Sequence, residues 1–470
     1  MRSLRTLAPV RPTNFQLVRG NQRLTRLAVV LALLSVILIL AISGNSLALL
    51  GVRYAETGGL PFEKLHPGTY LVALAAMLVL LFRRPAGSGL IRLFREAPAL
   101  AMFNVLMLAC ALYSVANVGI SGAAVYIESF LSAGMLAIVL REATDRQKRA
   151  LAWIILFFCI VSIVMSIYEG ATQTHLIPMH VADEKTMKML MQEDSDEFRG
   201  DGLFTHPLTA AFVTAMSVFM LLRMRMNGVL QAILFTVLLI GLLSFGGRAA
   251  LGTTVAGVSL AASVRLLFGL VRRDLPLGFV GAITAAVLFL PPLLLAVISS
   301  TDIGDRIIAH MYIDDSAKVR NIQWLVLNHL NTHDVVFGVP LARMEFLKYQ
   351  IGLATDTTDI ENFWLLMFLN LGVMGFVVFL VALFMLMVHL GRQAAHPLGW
   401  LLILAAIAID STSNSLGRKS IDLFMLVAVV MAMTGYRTSL VSLPSLMRRR
   451  PAPTAASLQP YPARLAGVKP

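Results

Sequence analysis

Apolar runs of roughly 17 to 25 residues recur along this chain, from about residue 27 to about residue 440. A helix of that length crosses about 30 Å of hydrocarbon. Only 14% of the 470 residues are charged, whereas a soluble domain carries about 25%. Because the runs recur, a cleaved signal peptide does not explain them. We therefore expect an integral membrane protein.

The apolar runs and their polar boundaries predict an all-α, polytopic fold with about twelve transmembrane helices. We expect a basic cytoplasmic N-terminus at 1–26, a transmembrane domain at 27–440 and a disordered cytoplasmic tail at 441–470. The predicted helices are 27–48, 68–82, 97–116, 123–140, 149–167, 206–222, 229–245, 249–268, 277–298, 362–389, 399–415 and 421–437.

Lys and Arg are concentrated in alternate loops, in the N-terminus and in the tail. The positive-inside rule then places both termini in the cytoplasm of a bacterial inner membrane. The excess of Lys and Arg behind the net charge of +13 is explained by the orientation of the protein in the membrane. No nucleic-acid partner is therefore expected. Two larger loops, 168–205 and 299–361, fall on the periplasmic side, and short helices near the membrane are expected in the second.

Neither a metal nor a cofactor is predicted. Cys110 and Cys159 lie inside apolar runs, where a small buried hydrophobe is the usual role of a free cysteine. His310, His329 and His333 lack the spacing of metal ligands and are expected to be solvated loop residues.

Arg248 follows Ser244-Phe245-Gly246-Gly247 between two apolar runs that have almost no loop between them. The glycines allow a tight turn on the outer side, which would leave Arg248 at the start of a helix. A guanidinium there could bind a phosphate through its planar fork. The alternative is that Arg248 only extends to the membrane interface.

A second cluster, Arg199-Gly-Asp201-Gly-Leu-Phe-Thr-His206-Pro207, lies where the first large loop enters a helix. Arg199 is a candidate phosphate ligand and Asp201 could orient it. His206 could donate or accept a proton. The alternative is a set of ordinary loop charges with Thr205 capping the helix.

The third cluster lies in the second large loop, and its candidate substrate-binding residues are Arg320, Trp324 and Asn362. Glu361, at the mouth of the next helix, is the best candidate for a general base, because partial dehydration beside Arg can tune a carboxylate for proton transfer. The alternative is that the acids in this first turn stabilise the helix N-terminus.

These motifs, in this order, resemble the O-antigen ligase and polymerase superfamily of bacterial membrane glycosyltransferases, whose fold is of the C type. The resemblance covers about residues 100 to 440. The motifs that carry it are Arg199-x-x-Gly202-x-Phe204-x-His206-Pro207, Phe245-Gly246-Gly247-Arg248, Arg320-x-x-x-Trp324, and Asn362 with Gly372-Val-Met-Gly375.

The resemblance implies a donor glycan on undecaprenyl diphosphate, with Arg248, Arg199 and Arg320 binding the diphosphate and a saccharide as acceptor. It implies inverting, metal-independent transfer with Glu361 as base. Ligases of this superfamily have a His-Asn pair where this chain has Glu361-Asn362, a departure that favours the polysaccharide-polymerase branches. A chain-length regulator and a flippase of the same pathway are further candidate partners.

Two alternatives remain open on the sequence. One is an O-antigen ligase that transfers the same donor to lipid A-core. The other is a transporter of polysaccharides or lipid-linked sugars, which could also have about a dozen helices. Transporters usually carry ionisable residues near the middle of the membrane, whereas the charges here gather at the outer mouth.

Overall fold

The computed structural model describes residues 15–54, 61–178, 198–272, 322–352, 360, 362–394, 396–412 and 419–436. Within these ranges the protein is all-helical and contains no strand. This confirms the all-α prediction. Residues 1–14 and the predicted tail at 441–470 lie outside the described residues, as does the predicted helix at 277–298.

Five helices are long enough and apolar enough to cross a membrane. A helix satisfies most of its backbone hydrogen bonds internally, as a bilayer requires. The candidate spans are Asn21–Ala41, Pro98–Asn117, Gly122–Leu140, Asp145–Thr172 and Phe363–Ala394. Shorter apolar helices cover Pro67–Leu80, Pro207–Leu221, Gly228–Ser244, Arg248–Val264, Pro397–Ser411 and Asp422–Thr434. This composition is typical of a membrane protein.

In chain order, the first elements are α1 (Phe15–Ala41), α2 (Gly44–Leu49), a 3-10 turn (Pro61–Lys64), α3 (Pro67–Leu80), α4 (Ser88–Glu96), α5 (Pro98–Val118), α6 (Ile120–Tyr126), a π-helical segment (Ile127–Leu131), α7 (Ser132–Leu140) and α8 (Asp145–Thr172). They are followed by α9 (Pro207–Leu221), α10 (Gly228–Ser244), α11 (Arg248–Arg272), a 3-10 helix (Trp324–His329), α12 (Thr332–Phe337), α13 (Leu341–Gln350), α14 (Phe363–Ala394), α15 (Pro397–Thr412) and α16 (Asp422–Thr434). A helix overlaps every predicted segment in the described ranges, and the short helices expected near Trp324 are present.

Helix α16 lies at the centre of the bundle. All of its residues are buried, and it packs against α7, α8, α9 and α14. A helix that is apolar on every side is the kind that other helices can surround. These four helices are therefore positioned by their contacts with α16.

Polar contacts define two ends of the bundle. At one end, which we call the basic end, Arg83 lies 3.1 Å from Glu142 and Arg141 lies 3.3 Å from Glu96. At the opposite end, the N–H of Gly44 donates to Thr205 at 2.9 Å. Charged loops thus join neighbouring helices at the basic end, and the motif-bearing loops lie at the opposite end.

Helix α14 is interrupted, which corrects the prediction of one continuous helix at 362–389. Gly372 has a φ of 61° and a ψ of −179°, a conformation that favours glycine. The N–H of Val339 bonds to the carbonyl of Leu369 at 2.6 Å, and a Cβ at Gly372 would collide with the carbonyl of Val336. The segment after α12 therefore packs directly on the backbone of α14.

Candidate functional site

The loop of residues 198–206, here called the Arg199 loop, is fixed to the end of α8. Glu169 is 1% exposed, and its two carboxylate oxygens accept from the N–H groups of Gly202 and Leu176, each at 2.9 Å. The N–H of Leu203 bonds to the hydroxyl of Ser162 at 3.1 Å. Glu169 and Ser162 were not among the predicted site residues, yet they hold the loop that carries Arg199.

The glycines of the Arg199 loop allow this close contact. Gly202 has a φ of +59°, and a Cβ there would collide with the backbone of Ser162. A Cβ at Gly200 would lie 2.6 Å from the hydroxyl oxygen of Ser166. The spacing Arg199-Gly-Asp-Gly is therefore explained by packing of the loop backbone onto α8.

The turn Phe245-Gly246-Gly247 sets the position of Arg248 at the first residue of α11, as predicted. Gly246 has a φ of +66°, and its N–H bonds to Leu243 at 3.1 Å, so it ends α10 in the manner of a C-terminal glycine. A Cβ at Gly246 would lie 3.4 Å from Cδ of Arg199. The side chain of Arg199 therefore passes beside the turn that directly precedes Arg248.

Gly247 brings α11 against α9, because a Cβ at this residue would collide with the Cβ of Ala211. His206 is the N-cap of α9, and its Nδ1 accepts from the N–H of Leu208 at 3.1 Å. Arg248 and His206 thus lie at the starts of two packed helices. Both side chains are exposed.

His206, and not Thr205, caps α9, so the Thr205 alternative is wrong. Thr205 instead accepts from the N–H of Gly44. Because Nδ1 of His206 is an acceptor, neutral His206 carries its proton on Nε2. Any proton exchange with a bound molecule would therefore use Nε2.

Asp201 is buried at 3% exposure, and its Oδ2 lies 3.9 Å from Nδ1 of His175. This places Asp201 inside the Arg199 loop, against a histidine that the sequence did not indicate. Its proposed role in orienting Arg199 stays a prediction.

Asn362 and Trp324 belong to a second group of residues at the same end of the bundle. The N–H of Asn362 bonds to Oε1 of the buried Gln323 at 3.2 Å, and its Oδ1 accepts from the N–H of Leu365 at 3.1 Å. Asn362 is therefore the residue that caps α14. Trp324 follows Gln323 and is 47% exposed.

Helix α15 connects the two groups. It packs against both α11 and α14, and the hydroxyl of Ser411 accepts from Nε1 of Trp364 at 3.0 Å. Arg320 and Glu361 lie outside the described residues. That they act on the same substrate as Arg199 and Arg248, as the resemblance implies, therefore stays a prediction, although Arg199 and Arg248 do lie at one turn.

A further polar cluster, missed by sequence reasoning, surrounds Glu128 in the π-helical segment. Glu128 is 3% exposed, and its Oε1 accepts from the hydroxyl of Tyr54. The ammonium of Lys419 bonds to the carbonyls of Tyr54 and Lys64 at 2.5 and 2.9 Å. The sequence signal for this cluster was Glu128 itself, because a single acidic residue within an apolar run is rare in a membrane segment and usually has a partner.

Burial governs the electrostatics of this cluster. It raises the pKa of the Tyr54 hydroxyl well above its ordinary value, and the neighbouring charge of Glu128 raises it further. Burial lowers the pKa of Lys419, although Glu128 opposes that shift. Tyr54 therefore remains a proton donor to Glu128 at neutral pH.

No protein-family model and no curated protein sequence matches this chain. The resemblance to the O-antigen ligase and polymerase superfamily accordingly stays a prediction. The candidate site consists of Arg199 beside a glycine turn, Arg248 directly after that turn, a histidine at the adjacent helix start, and a second group built on Asn362 and Trp324. Two arginines at one turn favour an anionic ligand.

Proposed function

We propose that the protein is a membrane glycosyltransferase that polymerises undecaprenyl-diphosphate-linked repeat units into an exopolysaccharide or O-antigen. The observation that carries the proposal is that the side chain of Arg199 lies beside Gly246, in the turn that precedes Arg248 at the start of α11. Two arginines at one turn suit a diphosphate, which has two phosphate groups to neutralise.

The chemistry follows from the leaving group. A hydroxyl of the acceptor sugar attacks the anomeric carbon of the donor, and the bond from that carbon to the diphosphate oxygen breaks with inversion. Glu361 takes the hydroxyl proton. Negative charge develops on the departing diphosphate, so Arg248 and Arg199 stabilise the transition state more than the ground state. No metal is required in this scheme.

In this proposal the chain crosses the inner membrane about twelve times, with both termini in the cytoplasm. The basic end faces the cytoplasm, in accordance with the positive-inside rule, and the Arg199 loop and Asn362 face the periplasm. Five spans have the required length and apolar character. The substrate then reaches the arginines laterally from the outer leaflet.

Loss of the gene should distinguish the polymerase from the ligase alternative. We expect cells without this protein to accumulate single lipid-linked repeat units, because the step that joins the units is missing. The measurement is mass spectrometry of lipid-linked glycans extracted from the membrane. Accumulation of long, unattached polymer on the lipid carrier would instead identify a ligase, and the polymerase proposal would be abandoned.

A transporter of lipid-linked sugars is the second candidate, and two observations favour it. Helix α14 is broken at Gly372, and Glu128 is a buried acid within a candidate span. Interrupted helices and intramembrane carboxylates are both frequent in transporters. In that case, loss of the gene would leave repeat units on the cytoplasmic leaflet. An impermeant labelling reagent added from outside would then fail to label them.

A further inference from the structure

A cavity of about 490 Å³ opens at the basic end, far along the bundle from the Arg199 loop. It lies between the first turns of α1 and the connections that follow α3 and α7. Its polar lining residues are Asn21, Gln22, Thr25, Arg26, Arg83, Glu142, Thr144 and Gln147, and Val29 contributes an apolar wall.

The cavity is positively charged. Glu142 is the one acidic residue of its lining, and it is shared by Arg83 at 3.1 Å and Arg92 at 3.3 Å. Arg26 has no ion-pair partner in the part of the chain that the structure describes. The one carboxylate is thus already neutralised, and a guanidinium remains available for an anion.

The polar residues of the lining are held in place by hydrogen bonds. Asn21 pairs with the backbone of Arg84, donating to its carbonyl at 2.8 Å and accepting from its N–H at 2.9 Å. Oε1 of Gln147 accepts from Thr144 at 2.9 Å, which leaves the amide NH₂ of Gln147 as a donor. The cavity is therefore a preformed site with donors beside the charge, which lowers the ordering cost of binding.

The surroundings of the cavity are apolar on the side that a bilayer would cover. The α1 candidate span starts at Asn21, so the cavity lies where the apolar span meets the polar end. Val30 lies one turn after Arg26 on α1 and is 54% exposed, and Phe82 lies between α3 and Arg83 and is 56% exposed. An anionic group in the cavity would have these side chains beside its hydrocarbon part.

We propose that this cavity binds the phosphate headgroup of an anionic phospholipid, with Arg26 as the principal ligand, Arg83 and Gln147 as further donors, and the acyl chains against Val30 and Phe82. A lipid headgroup and a free phosphate ion would both bind through phosphate oxygens that accept from guanidinium groups. The apolar flank favours a lipid over a free anion, because basic sites between helices at this depth receive lipid headgroups. The site is independent of the proposed transferase activity.

Lipid retention by the purified full chain tests this site. The protein is equilibrated in micelles that contain equal amounts of cardiolipin and phosphatidylcholine, and bound lipids are counted by native mass spectrometry. The wild type should retain cardiolipin preferentially, and Arg26→Gln should lower its affinity about fivefold, the effect of one basic residue at a membrane surface. Arg95→Gln is the matched control, because Arg95 is exposed at the same end but does not line the cavity.

The possible results separate the sources of phosphate. Cardiolipin retained by wild type and Arg95→Gln but reduced in Arg26→Gln supports the site. Equal retention by all three proteins, or an equal loss in both variants, overturns it. In a parallel experiment, inorganic phosphate is added at the concentration of phosphate that the lipids supply. If it displaces the lipid, the cavity binds free anions and the lipid assignment is wrong. Arg26 is exposed, and an unchanged elution volume of Arg26→Gln verifies its folding.

Discussion

Substitution of Arg248 by alanine should reduce glycan transfer roughly 100- to 1000-fold, the usual loss when one preorganised group that binds developing negative charge is removed. Arg248 is exposed at the start of α11, so the helices should still form without it. The measurement is the length distribution of the polymer made by cells whose only copy carries Arg248→Ala, with the amount of membrane-inserted protein determined in parallel.

Arg248→Lys separates charge from geometry. Lysine keeps the positive charge but lacks the planar fork that binds two oxygens at once, so partial activity between wild type and Arg248→Ala is expected. Arg95→Ala removes an exposed arginine at the basic end and should leave transfer unchanged. Wild-type polymer length in Arg248→Ala, at normal protein levels, would refute the phosphate role of Arg248.

Substitution of Glu169 by alanine should release the Arg199 loop from α8. The change leaves the buried N–H of Gly202 without its acceptor, and it also removes the acceptor of the N–H of Leu176, a residue that is 46% exposed. An unsatisfied buried donor costs about 1 to 3 kcal/mol, so the attached loop should be destabilised by about that amount. Limited proteolysis within the Arg199 loop measures this release, and transfer activity should fall with it.

Two further variants define the cause of that effect. Glu169→Gln keeps one acceptor oxygen and should have an intermediate proteolysis rate. Glu345→Ala removes a carboxylate that is 48% exposed and lies 3.4 Å from Lys348, and an ion pair near the surface contributes about 0 to 1 kcal/mol. A Glu169→Ala protein whose loop is cleaved no faster than the Glu345→Ala control would show that Glu169 does not hold the loop.

The helices could be predicted from the sequence because each apolar run is a local signal. A segment of about 20 apolar residues must satisfy its backbone within itself in a bilayer, whatever its neighbours are. The start of α11 at Arg248 was predicted for a similar reason, since the two preceding glycines mark a turn. Orientation and the number of spans rest on the charge pattern and stay predictions.

The supporting contacts could not be predicted, because they join residues far apart in the chain. Glu169 lies 33 positions before the Gly202 N–H that it accepts, and the pairing depends on how the Arg199 loop folds back onto α8. Lys419 bonds to Tyr54, which is 365 positions earlier. The break at Gly372 likewise requires the segment after α12 to pack on α14, and no local pattern at Gly372 distinguishes a broken helix from a continuous one.

Release of undecaprenyl diphosphate by the purified full chain tests the central claim most directly. The donor is the lipid-linked repeat unit extracted from cells that lack this protein, and the reaction contains a metal chelator. We predict longer lipid-linked glycans together with one undecaprenyl diphosphate for each bond formed, and neither product with Arg248→Ala. Folded wild-type protein that bound this donor but neither lengthened the glycan nor released the diphosphate would contradict the account.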